Sequence, residues 1–460
     1  MKTEEQVKNF NEQEYYLELL LEQIQCQKAK EAVEEEIRCH IEDQKTAYME
    51  KGMEEQEAEK EAVRQMGDPV EAGIRLDKVH RPKMAWDMII LIAFLSGVGL
   101  LIQYLLRMHL DYTSFMPVPV KGVLCCFGGI LVMLAICFLD YTLIARCAKQ
   151  IYCLAIGMEI LYLFVHGGIG YVNYGFLHCR IVMYIPLYAA ILYSYRGQGY
   201  GGLVKGILWT LPIGGLLILS PRSSMLAIMG IAIVSTLSVA VYKEWFKVSR
   251  RLVLSVLWAV VLLAPIILIR VIMRGNTVLQ ARLQVLLHPF SLDPDRWYGR
   301  FVPQFFAENQ WIGMNRLLEA GEWKYSLSPS NDYTLAYVSC YYGSLAAVIL
   351  IGLMLLLLIR GLLISLRQKN QLGMLMGTST VIVLLVQFVL YVLCNAGILP
   401  SAIYCPFITY GGSGIMSTSV LFGILLSIYR YQNVLVREPK IKKLLTSWGI
   451  MVNGKYIFKN

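Results

Sequence analysis

The chain has 460 residues, and its 42 Lys+Arg and 33 Asp+Glu make up only 16%, where an average soluble domain carries roughly 25%. Hydrophobic residues reach 56% and the mean hydropathy is +0.52, more apolar surface than a water-facing fold can hide, which excludes a single soluble globule. The net charge of +9 splits into −8 for residues 1–83 and +17 for residues 84–460, so the basic balance implies no nucleic-acid partner.

Residues 1–80 read as a small helical domain. Leu17, Leu20, Leu21 and Ile24 repeat at helical spacing, as do Val33, Ile37 and Ile41, and then Ala58, Ala62 and Met66. Asp68 followed by Pro69 is a helix start signal, N-cap then first-turn proline, for a fourth helix. The acidic and polar N-terminus does not have the pattern of a cleavable signal peptide.

From residue 84 the pattern changes to apolar stretches near 84–106, 122–140, 151–166, 181–195, 203–220, 223–242, 252–273, 333–359, 374–396 and 415–430. A bilayer needs roughly 20 residues per helix, so the fold class expected is all-α: a polytopic membrane protein of about ten transmembrane helices behind a small cytoplasmic helical domain. Lys and Arg fall on alternate connections, for example Lys243, Lys247, Arg250 and Arg251 on one side, with only Arg107, Lys121, Arg180 and Arg222 in the short loops of the other. That asymmetry puts both termini in the cytoplasm and the long connection 274–331 outside. The domains expected are 1–80, a membrane domain over 84–443, and a tail over 444–460.

The eleven Cys are scattered with no CxxC pair, and no His stands at zinc spacing. Six of the twelve acidic residues beyond the prefix, Asp293, Asp295, Glu308, Glu319, Glu322 and Asp332, lie in the long outer loop or at its end. Arg282, Arg296, Arg300, Arg316 and Lys324 share that loop with Trp297, Tyr298, Trp311 and Trp323. Cations beside aromatics at an interface suit an anionic amphipathic ligand such as a polyprenyl-linked diphosphate sugar, and equally suit an ordinary aromatic belt. Glu159 lies inside the third apolar stretch, where an ionisable group either finds an interior partner or moves a proton or substrate. Asp332, directly before the eighth stretch, reads as an N-cap or as a general base.

Two segments are more specific. Arg282-Leu283 is followed by His288-Pro289, Pro294 and Tyr298, and Asn395-Ala-Gly-Ile-Leu-Pro400 is followed by Pro406-Phe407-Ile408-Thr409-Tyr410-Gly411-Gly412-Ser413-Gly414. Here the chain resembles the SEDS family of cell-wall polymerases, the relatives of FtsW, RodA and SpoVE, whose C-terminal signature has Ser where this chain has Thr409. The resemblance implies a peptidoglycan glycosyltransferase acting on lipid II in division, shape or sporulation, in the bacterial cytoplasmic membrane, beside a class B penicillin-binding protein as transpeptidase. It points to Asp332 as the catalytic carboxylate. Arg282, Arg316 and Lys324, together with Asn395, Pro406, Tyr410, Gly411, Gly412 and Ser413, are its candidate substrate-binding residues. The leaving diphosphate would be stabilised by those cations or by a divalent metal, Mg or Mn.

Departures cluster in the first half of the membrane domain. Gly170-Tyr171-Val172 stands for the family's R-W-I, His178-Cys179-Arg180-Ile181 for Q-P-S-E, and Ser220-Pro221-Arg222-Ser223-Ser224-Met225 for Q-P-D-L-G-T. Ser339-Cys340-Tyr341-Tyr342-Gly343 replaces G-E-E-L-G. Two alternatives therefore stay open: a transporter or flippase of lipid-linked precursors that uses Glu159, and a catalytically silent regulatory relative. The prefix resembles the helical permease-prefix (HAAS-type) module, which implies docking of a cytosolic partner.

Overall fold

The computed structural model describes residues 12–109, 118–165, 180–219, 223–272, 280, 308–319, 333–399, 403–409 and 411–434. These divide into two compact units, one containing residues 1–83 and 431–460, the other residues 84–430. No strand occurs among the described residues.

The first unit holds α1 (Glu12–Glu22), α2 (Gln27–Glu50), α3 (Glu55–Gln65) and α4 (Pro69–His80). The periodic residues form its core: Leu17, Leu20, Ile24, Val33, Ile37, Ile41 and Ala62 are all buried. Asp68 caps α4 as the Asp-Pro pair predicts, its carboxylate accepting from Val70 and Glu71 N–H at 3.3 Å each. The Tyr16 hydroxyl donates to the Met66 carbonyl at 3.2 Å, and burial, with Asp68 nearby, raises it above the usual phenol range. The boundary on the C-terminal side differs from the one expected at residue 443. Val434 is in this core with Tyr431 packed against it, and the His80 ring nitrogen Nδ1 lies 2.8 Å from the Asn433 carbonyl oxygen.

The second unit holds α5 (Trp86–His109), α6 (Val118–Phe138), α7 (Tyr141–Arg146), α8 (Ala148–Val165), α9 (Tyr184–Ser194), α10 (Gly199–Leu208), α11 (Leu211–Leu219), α12 (Ser223–Tyr242), α13 (Arg250–Ile272), α14 (Arg316–Glu319), α15 (Thr334–Tyr342), α16 (Ser344–Leu366), α17 (Gln371–Asn395) and α18 (Gly412–Arg430). Seven segments are long and apolar enough to cross a membrane, and Gly122–Phe138 and Tyr184–Ser194 are shorter apolar helices. The helix α13 has 23 residues, largely apolar between Arg251 and Arg270. α17 and α18 are the most enclosed of the seven, with 61% and 72% of their apolar windows buried, whereas α5, α8 and α16 turn most of theirs outward. α18 packs chiefly on α6, where Gly129 lies beside Ser419 and Gly423 beside the Met133 carbonyl, the close backbone approach that small residues permit between apolar helices.

Two expected spans take another form. The fourth is only 11 residues, about 16 Å of helix, and is buried along nearly its whole length among α8, α12 and α17. The eighth does not run unbroken over 333–359: it breaks at Gly343, leaving α15 as a separate short helix and α16 as the spanning one. Apolarity continues through the break, so hydropathy does not show it. Gly343 has φ +98°, and a Cβ there would lie 2.5 Å from the Trp311 carbonyl oxygen. Residues 310 and 311 cross the break and cap α16, with Ser344 N–H donating to Gln310 O at 3.0 Å and Leu345 N–H to Trp311 O at 3.1 Å.

Gly343→Ala combines left-handed backbone strain with that overlap, and it is expected to cost at least about 1–3 kcal/mol. The check is a lowered thermal midpoint of the detergent-solubilised chain, with Ala346→Gly as a control for glycine number. In the first unit, Val434→Asp places a charge in the core and should expose the amides of α1 and α2 to hydrogen exchange while leaving α17 protected.

Candidate functional site

The start of α15, the Asn395 end of α17 and the loop 403–409 come together, with α5 beside them. Leu335 N–H donates to the Tyr391 hydroxyl at 3.1 Å and Ala336 N–H to Asn395 Oδ1 at 3.0 Å. Asn395 Nδ2 donates in turn to the Tyr391 carbonyl at 3.0 Å. From α5, the Gln103 carboxamide nitrogen reaches Thr334 Oγ1 at 3.5 Å and Ile408 O at 3.2 Å, tying helix start and loop together.

The loop itself is irregular backbone inside an apolar unit, so its polar groups need partners from the protein. Thr409 Oγ1 accepts from Cys405 N–H at 3.0 Å and donates to Cys405 O at 2.8 Å. Gln387 Nε2 donates to Tyr404 O at 2.7 Å, and Phe407 has φ +63° with its ring 5.3 Å from that of Phe422. The substitution of Thr409 for the expected Ser keeps the hydroxyl that closes the loop. Gly99 of α5 lies so close to the loop that a Cβ there would overlap the Phe407 carbonyl oxygen. Gly411 gives its carbonyl to Ile415 N–H at 2.9 Å and so begins α18, with Gly414 against the Tyr404 ring.

The other end of α15 is closed by residues 308–316. Asn315, fully buried, donates its N–H to Cys340 O at 2.7 Å and its Nδ2 to Asn309 Oδ1 at 3.0 Å, and Asn309 Nδ2 donates to Ser339 Oγ at 2.6 Å and Ser344 Oγ at 3.3 Å. Beside them Cys340 and Tyr341 stand where the family pattern has two Glu, so the groups gathered here are neutral. They are bonded to one another, a donor set that does not fit a hard divalent cation, which favours carboxylate oxygens. Among the described residues no three His, Cys, Asp or Glu come together.

Of the residues expected at the site, Asn395, Pro406, Gly411, Gly412 and Ser413 lie in or beside this corner. Asn395 is 1% exposed and both ends of its carboxamide bond backbone, so its observed work is to hold α15 and α17 together. Arg316 is exposed and follows Asn315, beside the Cys340 end of α15, about 13 Å of helix away from the Thr334 end. Asp332, Arg282, Lys324 and Tyr410 lie outside the described residues. Glu159 is in α8, 4% exposed, and pairs with Arg180 at 2.6 Å, whose guanidinium also lies 5.2 Å from the Tyr162 ring centroid.

Tyr391 and Gln103 were not singled out from sequence. Gln103 carried a signal, since a lone carboxamide in an apolar span is costly unless bonded. Tyr391 is one helical turn before Asn395 and shares its face.

Residues 310–434 match the model of the cell cycle protein family of FtsW, RodA and SpoVE. Over those residues the chain is similar to the SEDS family. Among curated relatives, the peptidoglycan glycosyltransferase MrdB of Escherichia coli K12 is 30% identical over 108 residues, 23% of this chain and 29% of that protein. The probable peptidoglycan glycosyltransferase FtsW of Geobacter metallireducens is 25% identical over 150 residues, 32% of this chain and 40% of that protein. The matched stretch thus spans less than half the length of either. The likeness in fold extends further than the likeness in sequence. A chain of a solved peptidoglycan synthase complex superposes with a TM-score of 0.59 at 19% identity, covering 76% of this chain and 99% of that one. A variant of the rod shape determining protein RodA of Thermus thermophilus gives a TM-score of 0.51 at 16% identity, covering 76% and 98%. The chain is therefore an all-α multi-pass membrane protein with the fold of those structures.

Thr409→Val removes both hydroxyl bonds at Cys405 and should lower the thermal midpoint by the equivalent of about 1–3 kcal/mol, whereas Thr409→Ser should stay near wild type. Arg180→Leu leaves the Glu159 carboxylate buried without its partner and should cost about 3 kcal/mol, most of it recovered in the double variant with Glu159→Gln. Both are read by thermal unfolding in detergent.

Proposed function

We propose that the chain is a peptidoglycan glycosyltransferase that polymerises lipid II at the outer face of the cytoplasmic membrane. One observation carries the reading: Asn395 of the SEDS signature holds the start of α15, two residues after Asp332 in the chain, and Gln103 ties that start to Ile408 in the signature's loop. The relatives named as peptidoglycan glycosyltransferases support the same activity.

In this mechanism Asp332 takes the proton from the 4-hydroxyl of one lipid-linked disaccharide. The oxygen attacks the anomeric carbon of the growing glycan, the bond to the diphosphate breaks, and polyprenyl diphosphate leaves with the electron pair. Arg282, Arg316 and Lys324 supply positive charge for that leaving group. The paired state of Glu159 with Arg180 favours a structural role over transport for that carboxylate. The solved synthase complex that coordinates polymerisation and crosslinking supports a transpeptidase of the class B penicillin-binding type as partner. Lys and Arg on alternate connections support cytoplasmic termini, with the prefix docking a cytosolic protein.

Purified full-length chain given labelled lipid II should make glycan strands, and Asp332→Ala should reduce them by about 10²–10⁴-fold. Glu159→Gln should still polymerise. Wild-type rates in Asp332→Ala would overturn the assignment of the base.

A further inference from the structure

Positive charge gathers at one end of the second unit, where α8, α10 and α13 begin and α9 and α12 finish. Two short turns make that end, 195–198 between α9 and α10 and 243–249 between α12 and α13. They carry Arg196, Lys243 and Lys247, and the helix starts beside them add Lys149, Arg250 and Arg251. Arg196 is half-buried and the other five are exposed. Residues 141–292 contain only two acidic side chains, Glu159, paired inside the unit with Arg180, and Glu244, which pairs with Arg250 at 3.3 Å.

Cations on the cytoplasmic side are expected of any multi-pass membrane protein. Three observations set this group apart. The turns are clasped together: Gly197 N–H donates to Trp245 O at 2.7 Å and Ser249 N–H to the Tyr200 hydroxyl at 3.3 Å, while Trp245 and Phe246 are buried. Glu244 holds φ +58°, a left-handed backbone that a residue other than glycine adopts only at a cost in energy. The cations are also seated on rings. Lys149 Nζ lies 4.5 Å from the centroid of Tyr195, whose hydroxyl accepts from Trp209 Nε1 at 2.9 Å, and the guanidinium groups of Arg196 and Arg250 lie 5.8 and 5.5 Å from the rings of Tyr193 and Tyr242. Beyond the charges the helix surfaces turn apolar, with Val204 and Leu208 of α10 and Leu252 and Val256 of α13 all more than half exposed. Fixed cations next to outward-facing apolar side chains match a ligand with an anionic head and apolar chains.

We propose that the clasped turns 195–198 and 243–249 bind the phosphate headgroup of an anionic membrane phospholipid, whose acyl chains lie on the exposed apolar faces next to them. The proposal does not rest on the polymerase reading.

The full chain in neutral detergent, titrated with cardiolipin or with phosphatidylcholine and read by native mass spectrometry, tests it. The wild type should retain cardiolipin at concentrations about tenfold below those needed for phosphatidylcholine, with affinity falling as salt rises. Lys149→Gln with Lys247→Gln should weaken cardiolipin binding about 25-fold, roughly fivefold for each cation removed. Tyr195→Leu keeps every charge but removes the ring under Lys149, and it should weaken binding about twofold to fivefold. Arg367→Gln with Lys369→Gln takes the same charge from the connection between α16 and α17, on the same side, and should stay within about twofold of wild type. Equal losses in the two double variants, or no loss in Tyr195→Leu, would show a diffuse attraction to that side of the molecule and overturn the site. Equal retention of both lipids by the wild type would overturn it as well. In a parallel thermal scan cardiolipin should raise the unfolding midpoint and inorganic phosphate at matched concentration should not; an equal rise with phosphate would assign the turns to a soluble phosphate group and sink the lipid assignment.

Discussion

An apolar unit has no water to satisfy exposed backbone, so wherever a helix ends inside it, another part of the protein must supply the missing hydrogen bonds. The candidate site follows from that constraint. Among the described residues the chain interrupts regular structure at the two ends of α15, at the loop 403–409 by its start and the break at Gly343 by its end, and backbone donors at both meet acceptors from elsewhere in the protein. Gln310 and Trp311 carbonyls close α16, Cys340 gives its carbonyl to Asn315, and the Thr409 hydroxyl folds the loop on itself.

α17 is the common support. It carries Tyr391 and Asn395 to the start of α15, Gln387 to the loop carbonyl of Tyr404, and it packs on α9, α12 and α16. Its burial is that of a core helix, and Thr378, Ser379, Thr380, Gln387 and Asn395 each donate to a backbone carbonyl. A helix so enclosed has little freedom to shift, which fixes the elements it caps. α5 adds a second tie through Gln103 and comes close to the loop only because Gly99 has no side chain.

The departures from the SEDS pattern sort themselves by position in this framework. Thr409 for Ser changes a methyl group and keeps the hydroxyl that the loop needs. Cys340 and Tyr341 replace acidic residues at the far end of α15, where the amide and hydroxyl network of Ser339 with Asn309 and Asn315 joins the end of the long connection to the break. The first change is conservative in its bonds; the second replaces a charged site by a neutral one while the cap on α15 is unaltered.

The charges with which the sequence first presents itself, an acidic prefix and a basic apolar body, already separate two units, and periodicity alone identifies the buried residues of the prefix and the Asp68 cap, because these depend on neighbours three or four positions away. The same locality makes the SEDS signature legible, since its residues stand close together in the chain. What the sequence could not determine is long-range. The break at Gly343 depends on Trp311 passing behind it, the cap on α15 comes from residues 56 and 59 positions later, and Val434 joins a core whose other members precede it by several hundred residues. Hydropathy does not register a carbonyl arriving from elsewhere. Only the tertiary structure decides that Leu335 and Ala336, at the start of α15, give their amides to a neighbouring helix.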